Sequence, residues 1–117
     1  MSESGDAGSS SLAPAEVLAS AGPVGVLSVG RLKPGADHDR VRRLAELTLP
    51  VAQAEPGCEH YAIHASVGEP GVYVFYGRWS SGPDVLGHLQ NPGLQDYRTE
   101  TFANLDFETT WLRSFEA

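Results

Sequence analysis

A β-branched apolar segment, stopped by a turn and followed at once by an amphipathic helix, constrains the fold of this chain most. Residues 24–32 read VGVLSVGRL and end at Lys33-Pro34-Gly35, which is typical of a buried strand and a turn. Asp37 then offers an N-cap for a helix. Apolar residues follow at helical spacing, at Val41, Leu44, Ala45, Leu49 and Ala52. Pro50 lies inside this pattern, where its missing N–H is expected to kink or shorten the last turn.

The rest of the chain completes the element order β-α-β-β-α-α-β. Strands are predicted over 58–65 and 72–79, and two short helices flank Asn91-Pro92-Gly93. Alternating apolar and polar residues predict a last strand over 105–111. This order is that of a ferredoxin-like split βαβ of the α+β class, whose antiparallel sheet carries helices on one face. Apolar side chains alternate onto both faces of the sheet, so a face-to-face homodimer is expected to cover the bare face.

Composition excludes several classes of protein. The 117 residues carry 15 acidic and 8 basic side chains, a formal charge of −7, which argues against a nucleic-acid partner. No apolar run approaches the ~18 residues of a membrane span. The lone Cys58 cannot form an internal disulfide, and no targeting signal is visible, so a cytoplasmic location is expected. Residues 1–22, rich in Ser, Gly and Ala, are predicted to be a flexible tail before one domain over 23–117.

Three segments together resemble the antibiotic biosynthesis monooxygenase (ABM) family. They are EPGCEHYAIH at 55–64, VFYGRW at 74–79 and LGHL at 86–89, and the similarity runs from about Val24 to Tyr97. The resemblance implies a small dimeric α+β barrel. It implies the reaction less strongly, because one fold supports many chemistries. Gly77 departs from the family pattern, in which many members carry an acidic residue two positions before the Trp.

His88 and Trp79 are the predicted catalytic residues. His88 stands where the family pattern carries a His, and an imidazole can exchange a proton near neutral pH. Trp79 ends the third strand on the same face as Tyr73 and Phe75, because strand side chains alternate. These three aromatic side chains are predicted to line a flat pocket, in which Tyr73 and Phe75 bind the substrate.

Tyr61 and His64 are further candidates for substrate binding, since both match the second-strand pattern of the family. Their spacing of three places them on opposite faces of a strand, so at most one can share a given pocket. Arg78 and Arg98 could hold an oxyanion, but surface ion pairs with neighbouring acids are favoured for both. The four His and one Cys show no metal-ligand spacing, so no metal site is predicted.

The favoured function is that of a cofactor-independent monooxygenase acting on a phenol, anthrone or hydroquinone. Its partners would be a small aromatic substrate and dioxygen, with no cofactor, and the resemblance adds a role in natural-product tailoring. An isomerase or polyketide cyclase on the same fold is an alternative, because it would need the same pocket and the same His. A second alternative is a non-catalytic dimer, binding a ligand or associated with stress, in which the aromatic residues only pack.

Overall fold

Four antiparallel strands and the helices between them form the described part of the chain. The structure is a computed structural model, and it describes residues 13–115. The elements in chain order are α1 (Ala15–Leu18), β1 (Val24–Leu32), α2 (His38–Gln53), β2 (Cys58–Ala65), β3 (Val72–Trp79), α3 (Gly82–Leu89), a 3₁₀ turn (Pro92–Leu94), α4 (Gln95–Asn104) and β4 (Leu105–Arg113). From β1 onward the order is the predicted β-α-β-β-α-α-β.

The sheet has the strand order β2-β3-β1-β4, and every neighbouring pair is antiparallel. In its register, Ser28 on β1 lies opposite Phe75 on β3 and Thr109 on β4. Tyr61 on β2 lies opposite Gly77 on β3. The predicted ferredoxin-like α+β fold is therefore confirmed.

Side-chain hydrogen bonds cap the N-terminal ends of α2 and α3, two helices that contribute residues to the candidate functional site. The Asp37 side chain accepts a hydrogen bond from the Asp39 backbone N–H at 2.9 Å, and α2 begins at the next residue, His38. The Ser81 hydroxyl accepts from the Asp84 N–H at 3.3 Å at the start of α3. Each contact satisfies a backbone donor that has no partner within the helix.

Pro50 does not end α2, which continues to Gln53. The ring stands on the exposed side of the helix. Apolar residues of the same helix, among them Val41, Leu44 and Ala52, are buried, so packing holds the last turn despite the missing hydrogen bond. None of the helices within residues 13–115 combines the length and the apolar character needed to cross a bilayer.

Residues 13–22 pack against the domain, although the sequence predicts a flexible tail over 1–22. Val17 and Leu18 of α1 contact a buried cluster of Val24, Trp79 and Val85. The backbone C=O of Ser20 accepts from the Gly82 N–H at 2.8 Å. A four-residue turn has little stability of its own, so these tertiary contacts hold it. The remainder of the predicted tail, residues 1–12, lies outside the described residues.

The contact between α1 and α3 predicts that Gly82 tolerates no side chain. A Cβ at Gly82 would lie 2.3 Å from the carbonyl oxygens of Val17 and Leu18. We expect Gly82→Ala to lower the free energy of unfolding, measured by urea denaturation, by about 1–3 kcal/mol. Gly87 of the same helix has no atom within 4 Å of its added Cβ, so Gly87→Ala should raise stability by up to ~1 kcal/mol. Equal effects of the two substitutions would contradict this packing.

Candidate functional site

A cavity of about 110 Å³ lies between the sheet and the helices that cover it. Most of its wall is apolar or aromatic, from Val26, Phe75, Leu89, Leu94, Phe102, Phe107 and Trp111. His88, Tyr61 and Arg98 are the titratable or charged side chains of the wall, and the hydroxyl residues Ser28, Thr48, Thr101 and Thr109 also line it. Such a cavity suits a small aromatic ligand whose orientation is fixed by a few polar groups.

His88 forms a buried pair with Glu55. Its Nδ1 lies 2.8 Å from Glu55 Oε1 and 3.1 Å from Oε2. The side chains are only 11% and 4% exposed, respectively. Asn91 Nδ2 donates to Glu55 Oε2 at 2.8 Å. Glu55 precedes β2, whereas His88 and Asn91 lie at the end of α3, so the carboxylate connects two separate segments of the chain.

The surroundings of Glu55 keep its carboxyl ionised and thereby determine which ring nitrogen of His88 carries the proton. Burial alone would raise the pKa of the Glu55 carboxyl, but hydrogen bonds from His88 and Asn91, with the proximity of His88, outweigh burial and lower it. An ionised carboxylate can only accept, so His88 Nδ1 donates to it. In the neutral ring Nε2 is then the acceptor nitrogen. His88 lines the cavity, and a neutral ring held in this way can accept a proton at Nε2.

The Trp79 ring packs against the His88 ring and does not line the cavity. Its side chain is fully buried, and its ring centroid lies 4.4 Å from that of His88 and 6.0 Å from that of Tyr61. The ring folds back over Gly77, where a Cβ would come within 2.4 Å of it. Gly77 thus permits this packing, and the indole takes the space that a side chain at position 77 would need. The indole N–H contributes to the lowered pKa of the Glu55 carboxyl, although it makes no hydrogen bond of full geometry within the described residues.

Tyr61 and Arg98 are the other two titratable or charged residues of the cavity wall. Burial raises the pKa of the Tyr61 hydroxyl to about 12, against the opposing charge of Arg98, so Tyr61 remains a neutral O–H donor. The Arg98 guanidinium donates to the backbone carbonyls of Leu89 at 3.0 Å and His88 at 3.1 Å. Both carbonyls lie at the C-terminal end of α3, where a cation is favourable, and the His88 carbonyl also accepts from the Asn91 N–H at 3.2 Å. Burial lowers the pKa of Arg98 from its ordinary range, and a guanidinium remains charged near neutral pH.

The structure brings together three of the predicted site residues, His88, Tyr61 and Phe75, on one cavity wall. Tyr73 lies on the same sheet face as Tyr61 and Phe75 but does not line the cavity. Its hydroxyl is 2.7 Å from His38 Nδ1. His64 is exposed and pairs in register with Val74 on the opposite face. Alternation predicts the face on which the side chain of a strand residue lies. It does not predict where along the strand the covering helices leave space for a cavity.

The two arginines differ in their surroundings. Arg78 donates from Nε to Glu59 at 2.6 Å, which is the ion pair expected from the sequence. Arg98 faces the cavity instead, because α4 carries it beneath the end of α3.

Glu55 and Asn91 are site residues that the sequence pattern does not single out. Glu55 does begin the first segment that resembles the ABM family, but nothing in its local sequence indicates a buried carboxylate. Within residues 13–115, no group of three or more His, Cys, Asp or Glu side chains is arranged to hold a metal ion.

The lowered pKa of Glu55 predicts a pH-dependent contribution to stability. Because its pKa is lower in the folded than in the unfolded state, the stabilisation is present above the ordinary value of 4.5 and is lost as the pH falls through the folded value. We expect Glu55→Gln to cost about 1–3 kcal/mol at pH 7. The difference in the free energy of unfolding between this variant and the wild type, measured by urea denaturation, should narrow toward pH 3. Glu108→Gln, at an exposed site on β4, is the control. A gap independent of pH would contradict an ionised Glu55.

Comparison with solved structures finds the same fold in other proteins. Rv0793 from Mycobacterium tuberculosis is 25% identical, with a TM-score of 0.72 over 81% of this chain and 97% of that chain. SnoaB, a cofactor-independent oxygenase from Streptomyces nogalater, is 14% identical, with a TM-score of 0.73 over 83% and 97%. A putative antibiotic biosynthesis monooxygenase from Caulobacter crescentus CB15 is 22% identical, with a TM-score of 0.69 over 81% and 92%. A search of curated proteins finds no match.

The sequence profile described as "Antibiotic biosynthesis monooxygenase" matches residues 23–100. The match covers more than half of the chain and includes Glu55, Tyr61, His88 and Arg98 of the cavity. On this evidence, together with the shared fold, the chain belongs to the antibiotic biosynthesis monooxygenase family.

Proposed function

We propose that this protein is a cofactor-independent monooxygenase that oxidises an electron-rich aromatic substrate, a phenol, anthrone or hydroquinone, to a quinone. The observation that carries the proposal is the His88–Glu55 pair on the wall of a largely aromatic cavity. Such a reaction requires a base, a dry site for a flat substrate, and dioxygen. Family membership supports the proposal and suggests natural-product tailoring as its setting.

The first step is deprotonation of the substrate. An acidic substrate O–H, or the enol form of an anthrone, donates to His88 Nε2, and the proton moves to the ring. Glu55 holds the ring by Nδ1 and stabilises the imidazolium that forms, as the carboxylate does in hydrolase triads. The positive charge of Arg98, which lines the same cavity, favours the substrate anion.

The second step uses the electrons of that anion. The electron-rich carbon reduces dioxygen and forms a C–O bond, giving an organic peroxide. The imidazolium returns its proton to the peroxide, whose O–O bond then breaks as water leaves and a C=O forms. One oxygen atom enters the product and the other leaves in water, and the substrate is oxidised by the loss of two hydrogens, the proton of its O–H and the hydrogen of the carbon that gains oxygen.

Oxygen consumption by metal-free protein, with a panel of anthrones and hydroquinones, tests the proposal. We expect uptake that survives chelation, and His88→Ala should slow it by roughly 10²–10⁴ because the base is lost. His38→Ala is the matched control, since His38 is exposed at the start of α2 and lies outside the cavity wall. Uptake no faster than autoxidation, or uptake unaffected by His88→Ala, would refute the proposal and favour an isomerase, a cyclase or a binding protein.

The face of the sheet opposite the cavity supports assembly as a homodimer, which we propose as the working form. Strands β1, β3 and β4 place apolar side chains there, and these are only partly covered within one chain: Leu27, Val29, Val74, Tyr76 and Leu112. Leu112 is 36% exposed. A second copy of the same face would bury this surface without leaving a free edge of apolar residues.

Sedimentation of the purified protein tests the dimer. We expect the wild type to sediment as a dimer and Val74→Lys as a folded monomer, because the substitution would bury a charge at the interface. Val67→Lys is the control, since Val67 is fully exposed in the turn between β2 and β3. A monomeric wild type, or a Val74→Lys variant that remains dimeric, would contradict pairing through this face.

A further inference from the structure

The first described segment, residues 13–22, packs on a buried cluster that adjoins the candidate base. Val17 and Leu18 of α1 contact this cluster. Its buried members are Val24, Trp79 and Val85. The antibiotic biosynthesis monooxygenase profile begins only at residue 23. The family match therefore assigns no role to this segment.

Two members of the cluster are coupled to His88. The Trp79 ring centroid lies 4.4 Å from that of His88, and the indole N–H helps to lower the pKa of the Glu55 carboxyl. Val85 lies three residues before His88 on α3 and therefore faces the same side of that helix. A displacement of the cluster would thus move the imidazole relative to the carboxylate with which it pairs.

The segment also holds the N-terminal end of α3 through its backbone. The Ser20 C=O accepts a hydrogen bond from the Gly82 N–H at 2.8 Å, and a donor in the first turn has no partner within its own helix. A Cβ at Gly82 would lie 2.3 Å from the carbonyl oxygens of Val17 and Leu18, so the two backbones are in direct contact. Because α3 has only 8 residues, a contact that fixes its start also restricts His88 near its end.

We propose that residues 13–22 form a clasp that keeps the His88 imidazole hydrogen-bonded to the Glu55 carboxylate. The clasp acts through the buried cluster and the start of α3, so Leu18 is a positioning residue that does not touch the substrate. The clasp depends on the proposed function only in that His88 serves there as the base. The proposed reaction then requires a segment that lies outside the region matched by the family profile.

Proton NMR of the whole chain, with its histidines labelled with nitrogen-15, tests the clasp without any turnover. His88 Nδ1–H donates to a buried carboxylate, so we expect a downfield ring N–H signal that is protected from solvent. His88→Ala removes this signal and thereby assigns it. In Leu18→Asp the signal should move upfield, or its proton should exchange with solvent about tenfold faster, because a charge placed against the cluster releases the clasp.

Three variants separate positioning from a general loss of stability. Ala19→Asp places the same charge on the exposed neighbour of Leu18 and should leave the signal unchanged. Val41→Ala removes a buried contact of α2 outside the cluster and the cavity wall, so it should lower stability without moving the signal. Leu18→Met keeps an apolar side chain of similar volume and should retain the wild-type signal.

A milder substitution keeps the test decisive if Leu18→Asp does not fold. Leu18→Ala removes contacts without adding a charge, and it should change the signal in the same direction by a smaller amount. A signal unchanged in the Leu18 variants that fold, or changed equally by Ala19→Asp or Val41→Ala, would overturn the clasp and leave residues 13–22 as a stabilising element only. The absence of a protected His88 signal in the wild type would also overturn it. The expected response in a protein without oxygen uptake would uphold the clasp while the oxygenase proposal fails.

Discussion

The site depends on the hydrogen bonds that the buried carboxylate of Glu55 accepts. Glu55 lies between α2 and β2, and it is held by His88 and Asn91 from the end of α3. An ionised group this deeply buried is costly unless its hydrogen bonds are satisfied. The same bonds that offset that cost join two distant segments and fix the orientation of the imidazole. Stability and chemistry are thus linked at one carboxylate.

The packing of Trp79 over Gly77 is the second constraint. The absence of a side chain at position 77 lets the indole lie flat on the strand and contact both His88 and Tyr61. Trp79 consequently packs against the His88 ring and does not line the cavity.

The distribution of polar groups around the cavity is more informative about chemistry than the fold is. A ferredoxin-like sheet with helices on one face supports many reactions, and structural neighbours at low identity establish only that fold. The His88–Glu55 pair, the neutral Tyr61 hydroxyl and the charged Arg98 come together at a cavity whose wall is otherwise largely apolar. This arrangement favours forming and holding an anion on a flat substrate, which is the basis of the proposed oxygenation.

Local sequence chemistry predicted the elements and their faces. Capping residues, turn glycines and prolines, and alternation act over a few residues, so the element order, the Asp37 cap and the opposite facing of Tyr61 and His64 could be derived from the chain alone. The same reasoning placed Tyr73 in the pocket, because alternation does not report how far along a strand the covering helix extends. It also predicted that residues 13–22 would be flexible, because their contacts with Trp79 and Gly82 come from distant parts of the chain.

By itself, the sequence determined the order of strands and helices, the caps and the resemblance carried by residues 55–64, 74–79 and 86–89. Only the tertiary structure decided that Glu55 pairs with His88, that Arg98 faces the cavity, and that residues 13–22 pack against α3. The physical reason is range. Secondary structure follows from interactions between near neighbours, whereas a buried carboxylate, a guanidinium under a helix end and a segment packed on a distant helix each join groups brought together only by packing.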